Sequence, residues 1–250
     1  MTLRVVCWKW NPGRPHFKKG LVYSAQHVNR LRNMVARNLE LRHEFCCITD
    51  DADGIDPGIR VIPLWDDLRH LGRCYLRLKA FAAEMCGVIG RRFVSIDLDT
   101  VITGDITPIL DRDENFIIWR NVNLRQPYCG SMWMMDAGAR RGVWEDFEPL
   151  SSPAETRARR LIGSDQAWMA LNLGPGEATW DRGDGIFSFR AHVLRQSNIR
   201  RRHLKRREGK RLPEHVPLPE SARMVFFHGR FDPSQPGVQS ACPWVVEHWR

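Results

Sequence analysis

The first hundred residues alternate between short apolar runs and segments whose apolar residues keep helical spacing. The apolar runs are typical of β-strands and cover residues 3–7, 45–49, 60–64 and 93–96. Helices are predicted over 24–39, with Ser24 as the N-cap, and over 72–85. Strands that alternate with helices build α/β domains, so the sequence predicts an α/β fold with a mainly parallel central sheet. Ligands of such sheets bind beyond the carboxyl ends of the strands.

The second half of the chain is less regular. Strands are predicted at 115–119, 131–135, 186–189 and 224–227, and a short helix at 137–147. A further helix is predicted to begin at Asp165, with Ser164 as its cap. Segment 195–211 holds nine Lys or Arg residues without apolar periodicity, so we expect an exposed basic loop.

Composition limits the class of protein. A chain of 250 residues, 43% of them hydrophobic, is expected to form one domain over 1–250. The net charge of +9 favours anionic partners such as nucleotide phosphates, nucleic acid or an acidic membrane surface. No apolar run approaches the roughly 20 residues that span a bilayer, and the first apolar stretch is too short for a signal peptide. The seven cysteines lack C-x-x-C spacing, which favours the reduced thiols of a cytoplasmic protein.

One predicted strand ends in two carboxylates. Residues 93–96 are apolar, and Asp97 and Asp99 follow with Leu98 between them. Alternation along an extended chain would place both carboxylates on the same side. Two like charges at a buried strand end repel each other and resist desolvation, and Mg²⁺ or Mn²⁺ would relieve both costs. The alternative is a solvated strand end, because the D-x-D spacing alone is a weak signal.

Further motifs occur in an order found in a known family. They are Tyr23 with His27-Val28-Asn29, Ile48-Thr49-Asp50-Asp51, Arg77-Leu78-Lys79, Ile96-Asp97-Leu98-Asp99, Cys129-Gly130-Ser131-Met132, Gly163-Ser164-Asp165-Gln166 and Phe226-Phe227-His228-Gly229. On these motifs the chain resembles metal-dependent glycosyltransferases of the GT-A fold, most of all bacterial and phage relatives of glycosyltransferase family 8. The resemblance implies a Rossmann-like nucleotide-binding half over 1–105 and an acceptor half over 106–250, in the cytoplasm of a bacterium or a phage-infected host.

The resemblance also implies a donor site. Asp97, Asp99 and His228 would hold Mn²⁺ or Mg²⁺, which bridges the two phosphates of a nucleotide-sugar, with a UDP-sugar as the expected donor. The residues expected to contact the donor are Tyr23, Asp50, Asp51, Arg77, Asp97, Gly229 and Arg230. For His228 the alternative is a strand-end histidine bonded to backbone. For Asp50 and Asp51 it is a solvated turn, and for Arg77 an exposed helix arginine.

Asp165 and Gln166 are the expected catalytic residues, since the resemblance places them beside the sugar and the reacting carbon. Asp165 would orient sugar hydroxyls or stabilise oxocarbenium charge, and the alternative is a capped helix start. Retention of the anomeric configuration is implied by the family alone. One departure is Asp232, which stands where relatives often carry a lysine that pairs with the diphosphate. Arg230 could substitute for that lysine.

The acceptor is indicated only by basic segments. Segment 195–211 and Arg157-Ala158-Arg159-Arg160 would attract a polyanion such as hydroxymethylated DNA, or an acidic membrane surface that carries a lipid-linked saccharide. The alternative is a solvated loop without a function. Two other classes of protein stay open: a nucleic-acid-binding protein without catalysis, which would leave Asp97 and Asp99 unexplained, and a nucleotidyltransferase, which also uses paired carboxylates with a metal.

Overall fold

The computed structural model of the chain describes residues 2–11, 23–68, 70–72, 74–123, 125–196 and 212–250. The strands are β1 (Leu3–Lys9), β2 (His43–Thr49), β3 (Arg60–Pro63), β4 (Arg92–Ile96), β5 (Thr100–Ile102), β6 (Phe116–Arg120), β7 (Tyr128–Asp136), β8 (Ala178–Trp180), β9 (Ile186–Ser188) and β10 (Met224–Phe226). The helices are α1 (Ala25–Asn38), α2 (Met85–Val88), α3 (Thr107–Leu110), α4 (Gly142–Glu145), α5 (Ser152–Ala158), α6 (Asp165–Leu173), α7 (Leu194–Gln196), α8 (Pro236–Ala241) and α9 (Pro243–His248). Short 3-10 helices cover Asp66–Leu68, Tyr75–Phe81 and Arg182–Asp184, and a π-helix covers Phe189–Val193.

The main sheet has seven strands in the order β3-β2-β1-β4-β7-β6-β8. All neighbours are parallel except β7, which runs antiparallel to β4 and β6. The predicted α/β class with a mainly parallel sheet is therefore confirmed. Both faces of β1 are buried: Val5 and Cys7 pack into one hydrophobic cluster, Val6 and Trp8 into the other. This explains the continuous apolar run of β1, since a strand covered on both faces has no polar side.

A second sheet of three strands has the order β5-β10-β9. Strand β5 follows Asp99 directly, and its Thr100 lies opposite Phe226 of β10. The amide of Phe227 donates to the carbonyl of Asp99 at 2.9 Å, which extends this pairing by one step. The small sheet thereby fixes the backbone of Asp99 next to the segment that carries His228. The sequence did not indicate β5, because a strand of three residues is stabilised by its distant partner rather than by its own pattern.

Two helix predictions differ in outcome. The helix predicted over 24–39 is confirmed as α1, and Ser24 is its N-cap in a capping box that uses the His27 side chain. The helix predicted over 72–85 is wrong: Tyr75–Phe81 forms a 3-10 helix, and α2 covers only Met85–Val88. Most of the 3-10 helix is buried, including a charged residue, so this segment lacks the single apolar face of a surface helix.

Several predicted bounds in the second half also change. The helix predicted over 137–147 is reduced to α4, and the strand predicted over 131–135 extends to the whole of β7. Strands β8 and β9 and the predicted helix at Asp165 complete this half. Of the basic segment 195–211, residues 197–211 lie outside the described residues, and Arg195 lies in α7. Among the residues that the structure describes, we find no helix with the length and apolar character that a membrane crossing requires.

Candidate active site

A cleft of about 290 Å³ opens at the carboxyl ends of β1 and β4. It is lined by predicted site residues Tyr23, Arg77, Asp97, Asp99, Asp165, Gln166, His228 and Gly229. The rest of its wall consists of Trp8, Trp10, Cys74, Leu98, Gly130, Ser131, Gly163 and Ser164. The fold therefore brings together residues that are spread over most of the chain, at the sheet edge where ligands of α/β proteins bind.

Arg77 connects three parts of this cleft. Its guanidinium donates through Nη1 to Oδ1 of Asp97 at 2.6 Å and through Nε to Oδ2 of Asp165 at 2.8 Å. Its Nη2 donates to the same oxygen of Asp165 and, at 3.1 Å, to the carbonyl of Gly130. Arg77 is only 6% exposed, so the expectation of an exposed helix arginine does not hold. A planar guanidinium with several fixed donors suits a position that must hold two carboxylates and a strand together.

The buried charges of this network influence each other. Burial alone would lower the pKa of Arg77, but the carboxylates of Asp165 and Asp97 raise it well above its usual value, so Arg77 stays charged. Burial raises the pKa of Asp165, and the negative charge of Asp97 raises it as well, while Arg77 acts against both. One cation serves two carboxylates, which leaves the cluster with a net negative charge. Such a site favours a further cation.

Asp97 and Asp99 reach the cleft by a route that differs from the predicted one. Strand β4 ends at Ile96, and residues 97–99 form a bend between β4 and β5, so alternation along an extended strand does not apply. Two hydrogen bonds to backbone carbonyls hold the bend: the amide of Asp97 donates to the carbonyl of Ser131, and the side-chain hydroxyl of Thr100 donates to the carbonyl of Asp97. Both carboxylates nevertheless line the same cleft.

Tyr23 adds a phenol to the same wall. Burial raises its pKa well above the usual value. The negative charges of Asp99, Asp97 and Asp232 and a hydrogen bond with Asp99 raise this pKa further. The phenol therefore stays protonated and can donate its hydrogen bond to the Asp99 carboxylate at any physiological pH.

His228 follows β10, where the predicted strand-end position places it. Its ring stacks on Trp119, with the ring centroids 5.2 Å apart and the planes at 20°. The next residue, Gly229, has a φ of +76°, which glycine adopts at little cost. Arg230 is exposed, does not line the cleft, and its guanidinium lies over the ring of Phe231.

Asp165 and Gln166 begin helix α6. Ser164 occupies the N-cap position, but its side chain does not cap the helix; its hydroxyl instead lies 3.3 Å from Oδ1 of Asp165. The amide of Gln166 is fixed at both ends, because its Oε1 accepts from the backbone of Gly130 and its Nε2 donates to the carbonyl of Ile162. Gly163 has a φ of +106°, and a Cβ there would lie 2.6 Å from the Gln166 side chain. The chain therefore needs glycine at 163 to place Gln166 in the cleft.

A neighbouring cleft of about 430 Å³ shares Trp10 and Tyr23 with the first. Asp50 and Asp51 lie in its wall. The ammonium of Lys9, which is buried, donates to Oδ2 of Asp51 at 2.9 Å and lowers the pKa of that exposed carboxyl.

Sequence reasoning missed Lys9 and Trp10. The available signal was their position directly at the end of β1, where side chains reach the ligand-binding edge of the sheet.

Asp232 does not face the cleft. It is fully buried, its Oδ1 accepts from the backbone and hydroxyl of Ser234, and Nε2 of His27 lies 3.4 Å away. Since Nδ1 of His27 accepts from the amide of Ser24, the proton lies on Nε2 and points to Asp232. The residue at this position therefore joins α1 to the segment after β10, and it does not replace a phosphate-binding lysine in the cleft wall.

The donor set of the predicted metal site is chemically suitable. Two carboxylates and an imidazole line one cleft, and these groups suit Mg²⁺ or Mn²⁺. Within the described ranges, no three His, Cys, Asp or Glu side chains are close enough together to hold an ion by themselves.

The thiols of Cys74 and Cys129 are not alternatives for nucleophilic chemistry, because burial raises their pKa to about 12 and about 11.

The fold agrees with known structures. The galactosyltransferase LgtC, solved with donor and acceptor sugar analogues, superposes with a TM-score of 0.58 at 12% identity over 95% of this chain and 91% of its own. GlyE, a glycosyltransferase of Streptococcus pneumoniae TIGR4, gives a TM-score of 0.57 at 9% identity over 93% of this chain and 56% of its own. The bifunctional glycosyltransferase WbbM gives 0.51 at 12% identity over 93% of this chain and 46% of its own.

These neighbours are glycosyltransferases of the GT-A fold, and the chain has that fold. No protein-family model matches the sequence, and no curated protein matches it. At 9–12% identity the likeness establishes the fold, and the chemistry must be argued from the cleft itself.

Proposed function

We propose that the chain is a glycosyltransferase that moves a sugar from a nucleotide-sugar, with a UDP-sugar as the expected donor, to an acceptor hydroxyl. The observation that carries the proposal is the convergence of Asp97, Asp99, Asp165, Gln166 and His228 on one cleft of a GT-A fold. The motif order that resembles family 8 supports the same reading. Transfer with retention is the expected outcome by that resemblance.

Asp97, Asp99 and His228 are the residues that would hold Mn²⁺ or Mg²⁺. A divalent cation at this cleft would neutralise the diphosphate of the donor and stabilise it as a leaving group. Because two carboxylates and one imidazole are too few ligands for Mg²⁺, the donor phosphates and water would complete the coordination. The net negative charge of the Arg77 network supports binding of a cation here.

Arg77 is proposed as a positioning residue for the carboxylates. Its bond to Asp97 leaves that side chain fixed in the cleft, and its bonds to Asp165 fix the start of α6. Gln166 offers an amide held at both ends beside Gly130, a suitable group for binding a sugar hydroxyl. Asp165 is only 3% exposed, so its proposed contribution is the negative charge that it adds close to the reacting carbon.

The neighbouring cleft is proposed to hold the nucleoside. It shares Trp10 and Tyr23 with the first cleft, so one ligand can occupy both. Asp50 or Asp51 would accept hydrogen bonds from the ribose or the base, and the aromatic rings would cover the base. Gly229 would allow close approach of the diphosphate, and Arg230 would approach it only if its side chain changed position.

The acceptor is proposed from charge alone. The basic segment 195–211 and the exposed residues Arg157, Arg159 and Arg160 at the end of α5 would attract a polyanion such as hydroxymethylated DNA. A lipid-linked or surface saccharide is the second candidate acceptor, since the same charges suit an anionic membrane. Arg160 has a φ of +57°, an uncommon backbone conformation for an arginine, and it lies three residues before Gly163 of the cleft.

The proposal is tested by a donor screen with purified protein, nucleotide-sugars and Mn²⁺, followed by product analysis. Release of a nucleoside diphosphate supports glycosyl transfer. Release of a sugar 1-phosphate from the nucleotide-sugar, or of pyrophosphate from a nucleoside triphosphate added in a parallel screen, would instead make the protein a nucleotidyltransferase. Nucleic-acid binding without cleavage of any donor would indicate a binding protein without catalysis.

Asp99→Asn is the matched variant for that screen. Asp99 is 5% exposed, so the amide conserves its shape while removing one negative charge from the cleft. We expect donor cleavage to be abolished and the fold to be retained. The control is Asp113→Asn, which removes an exposed carboxylate before β6, at the opposite edge of the sheet. Wild-type turnover by Asp99→Asn would refute the role of this carboxylate.

A further inference from the structure

A groove of about 340 Å³ lies next to the candidate active site. It is lined by residues 119–122 and 181–183 and by His192. Residues 119–122 cover the end of β6, and residues 181–183 directly follow β8. Because these two strands are parallel, the groove opens at the carboxyl edge of the main sheet. Trp119, in the groove wall, stacks on His228, in the cleft wall, with ring centroids 5.2 Å apart. A molecule in the groove would therefore lie one aromatic stack away from the proposed donor.

The groove carries positive charge. Arg120 and Arg182 are both exposed in its wall. The guanidinium of Arg120 is held by Thr179, whose Oγ1 accepts from Nη2 at 3.0 Å and from Nε at 3.2 Å, and three further N–H donors remain. The one carboxylate in the wall, Asp181, accepts a bond from the amide of Gly183 at 2.7 Å, so it is engaged in capping the 3-10 helix.

His192 contributes an uncharged donor. It lies in the π-helix Phe189–Val193, a conformation that is often found at functional sites. Its Nδ1 accepts from the amide of Ser188 at 3.0 Å, which places the proton on Nε2. Burial, and then the positive charges of Arg182 and Arg195, lower the pKa of His192 to about 4. The imidazole is therefore neutral at physiological pH, and its pKa responds to charge in the groove, because Arg182 in the groove wall contributes to the lowering.

We propose that this groove binds an anionic group of the acceptor, a phosphate or a carboxylate, with Arg120 and Arg182 as charged ligands and His192 as a neutral N–H donor. This inference rests on the proposed function, because the adjoining cleft must hold the donor. The acceptor is then a saccharide or polymer that carries its negative charge close to the hydroxyl that receives the sugar. This proposed anion site includes none of residues 197–211, the part of the basic segment that lies outside the described residues.

The test is an NMR titration of the His192 imidazole in the full-length protein, with the resonance assigned by its loss in His192→Asn. The probes are sodium phosphate, sodium glucuronate, uncharged glucose, and UDP with Mg²⁺, which is diamagnetic and therefore does not broaden the imidazole resonance. An anion within about 4–6 Å favours the protonated imidazole, so phosphate or glucuronate should raise the pKa of His192 by roughly one unit or more. A response to phosphate alone identifies a phosphorylated acceptor, and a response to glucuronate alone identifies an acidic sugar.

Two variants sharpen the measurement. Arg182→Gln should raise the pKa of His192 in the absence of any probe. The anion concentration that produces half of the full pKa change should rise about tenfold, as expected for the loss of one charged contact. Arg141→Gln, an exposed arginine paired with Glu145 on α4, is the matched control and should behave as wild type.

The groove assignment fails if neither anion shifts the titration, if Arg182→Gln responds like wild type, or if UDP shifts it as much as the anions do. Donor cleavage with water as acceptor, measured on the same variants, should equal the wild-type rate in the control Arg141→Gln. Absence of donor cleavage in the wild type would overturn the proposed function, whereas the NMR titration would still decide whether the groove binds anions.

Discussion

Replacement of Arg77 by glutamine should destabilise the protein strongly. Arg77 is 6% exposed and bonds to Asp165, Asp97 and the carbonyl of Gly130. Its loss leaves the Asp165 carboxylate, 3% exposed, without a counter-charge. Removal of one partner of a buried ion pair costs about 3–5 kcal/mol. In a chain of this size, 1 kcal/mol shifts Tm by about 2–4 °C, so Tm should fall by roughly 6–20 °C.

The cost of Arg77→Gln should depend on pH in a defined direction. In the wild type, burial raises the pKa of Asp165 and Arg77 acts against that rise. Without Arg77, the pKa of Asp165 in the folded protein rises further above its unfolded value. Burial of the neutral carboxyl costs less free energy than burial of the carboxylate. The destabilisation is therefore largest above that raised pKa and becomes smaller as the pH falls through it.

Urea denaturation of the wild type and Arg77→Gln at pH 7 and pH 5 measures both effects. The Asp165→Asn variant and the double variant complete a double-mutant cycle, in which we expect a coupling free energy of about 1–3 kcal/mol between the two side chains. Arg141→Gln, which loses only an exposed ion pair, should stay within about 0.5 kcal/mol of wild type. An Arg77→Gln protein as stable as this control at pH 7, or a coupling free energy near zero, would refute the reasoning.

Three further outcomes are expected. Gly163→Ala should lower donor cleavage and reduce the free energy of unfolding by about 1–3 kcal/mol, because the added Cβ would lie 2.6 Å from Gln166 at a φ of +106°. Its control in calorimetry is Gly174→Ala, which has a φ of +65° and open space around it, and which therefore measures backbone strain alone. Exhaustive EDTA treatment should abolish transfer and added Mn²⁺ restore it, whereas full activity after chelation would indicate a metal-independent transferase. Changing the six Lys and Arg residues of 200–207 to Ser or Gln should leave donor hydrolysis intact but reduce transfer to hydroxymethylated duplex DNA and flatten its salt dependence. If the variant and the wild type show the same transfer rates and the same salt slopes, the support for a DNA acceptor is lost.

Local patterns were sufficient to predict the elements that determine their own structure. The apolar run of β1 and the amphipathic spacing of α1 predicted both correctly, since each keeps its period over its whole length. The strand that precedes Asp97 was predicted for the same reason. Strand β5 was not, because its three residues depend on pairing with β10 from the other end of the chain.

The candidate site shows the same division. The motifs indicated which residues belong to it, and the fold places Asp97, Asp99 and His228 in one cleft. The contacts between them could not be predicted. Arg77 was expected near the donor, but its burial between two carboxylates depends on a 3-10 helix that the helical pattern did not indicate. Lys9 was missed because a single lysine at a strand end carries no signal until its partner Asp51 is placed.

Calorimetric titration of UDP into the protein, with and without Mn²⁺, tests the central claim most directly. If the cleft is a nucleotide-sugar site that uses Asp97 and Asp99 for a divalent cation, UDP should bind tightly only with Mn²⁺, and Asp99→Asn should lose that dependence while Asp113→Asn keeps it. Equal UDP binding with and without Mn²⁺, or equal Mn²⁺-dependent binding by Asp99→Asn and wild type, would contradict the assignment of this cleft.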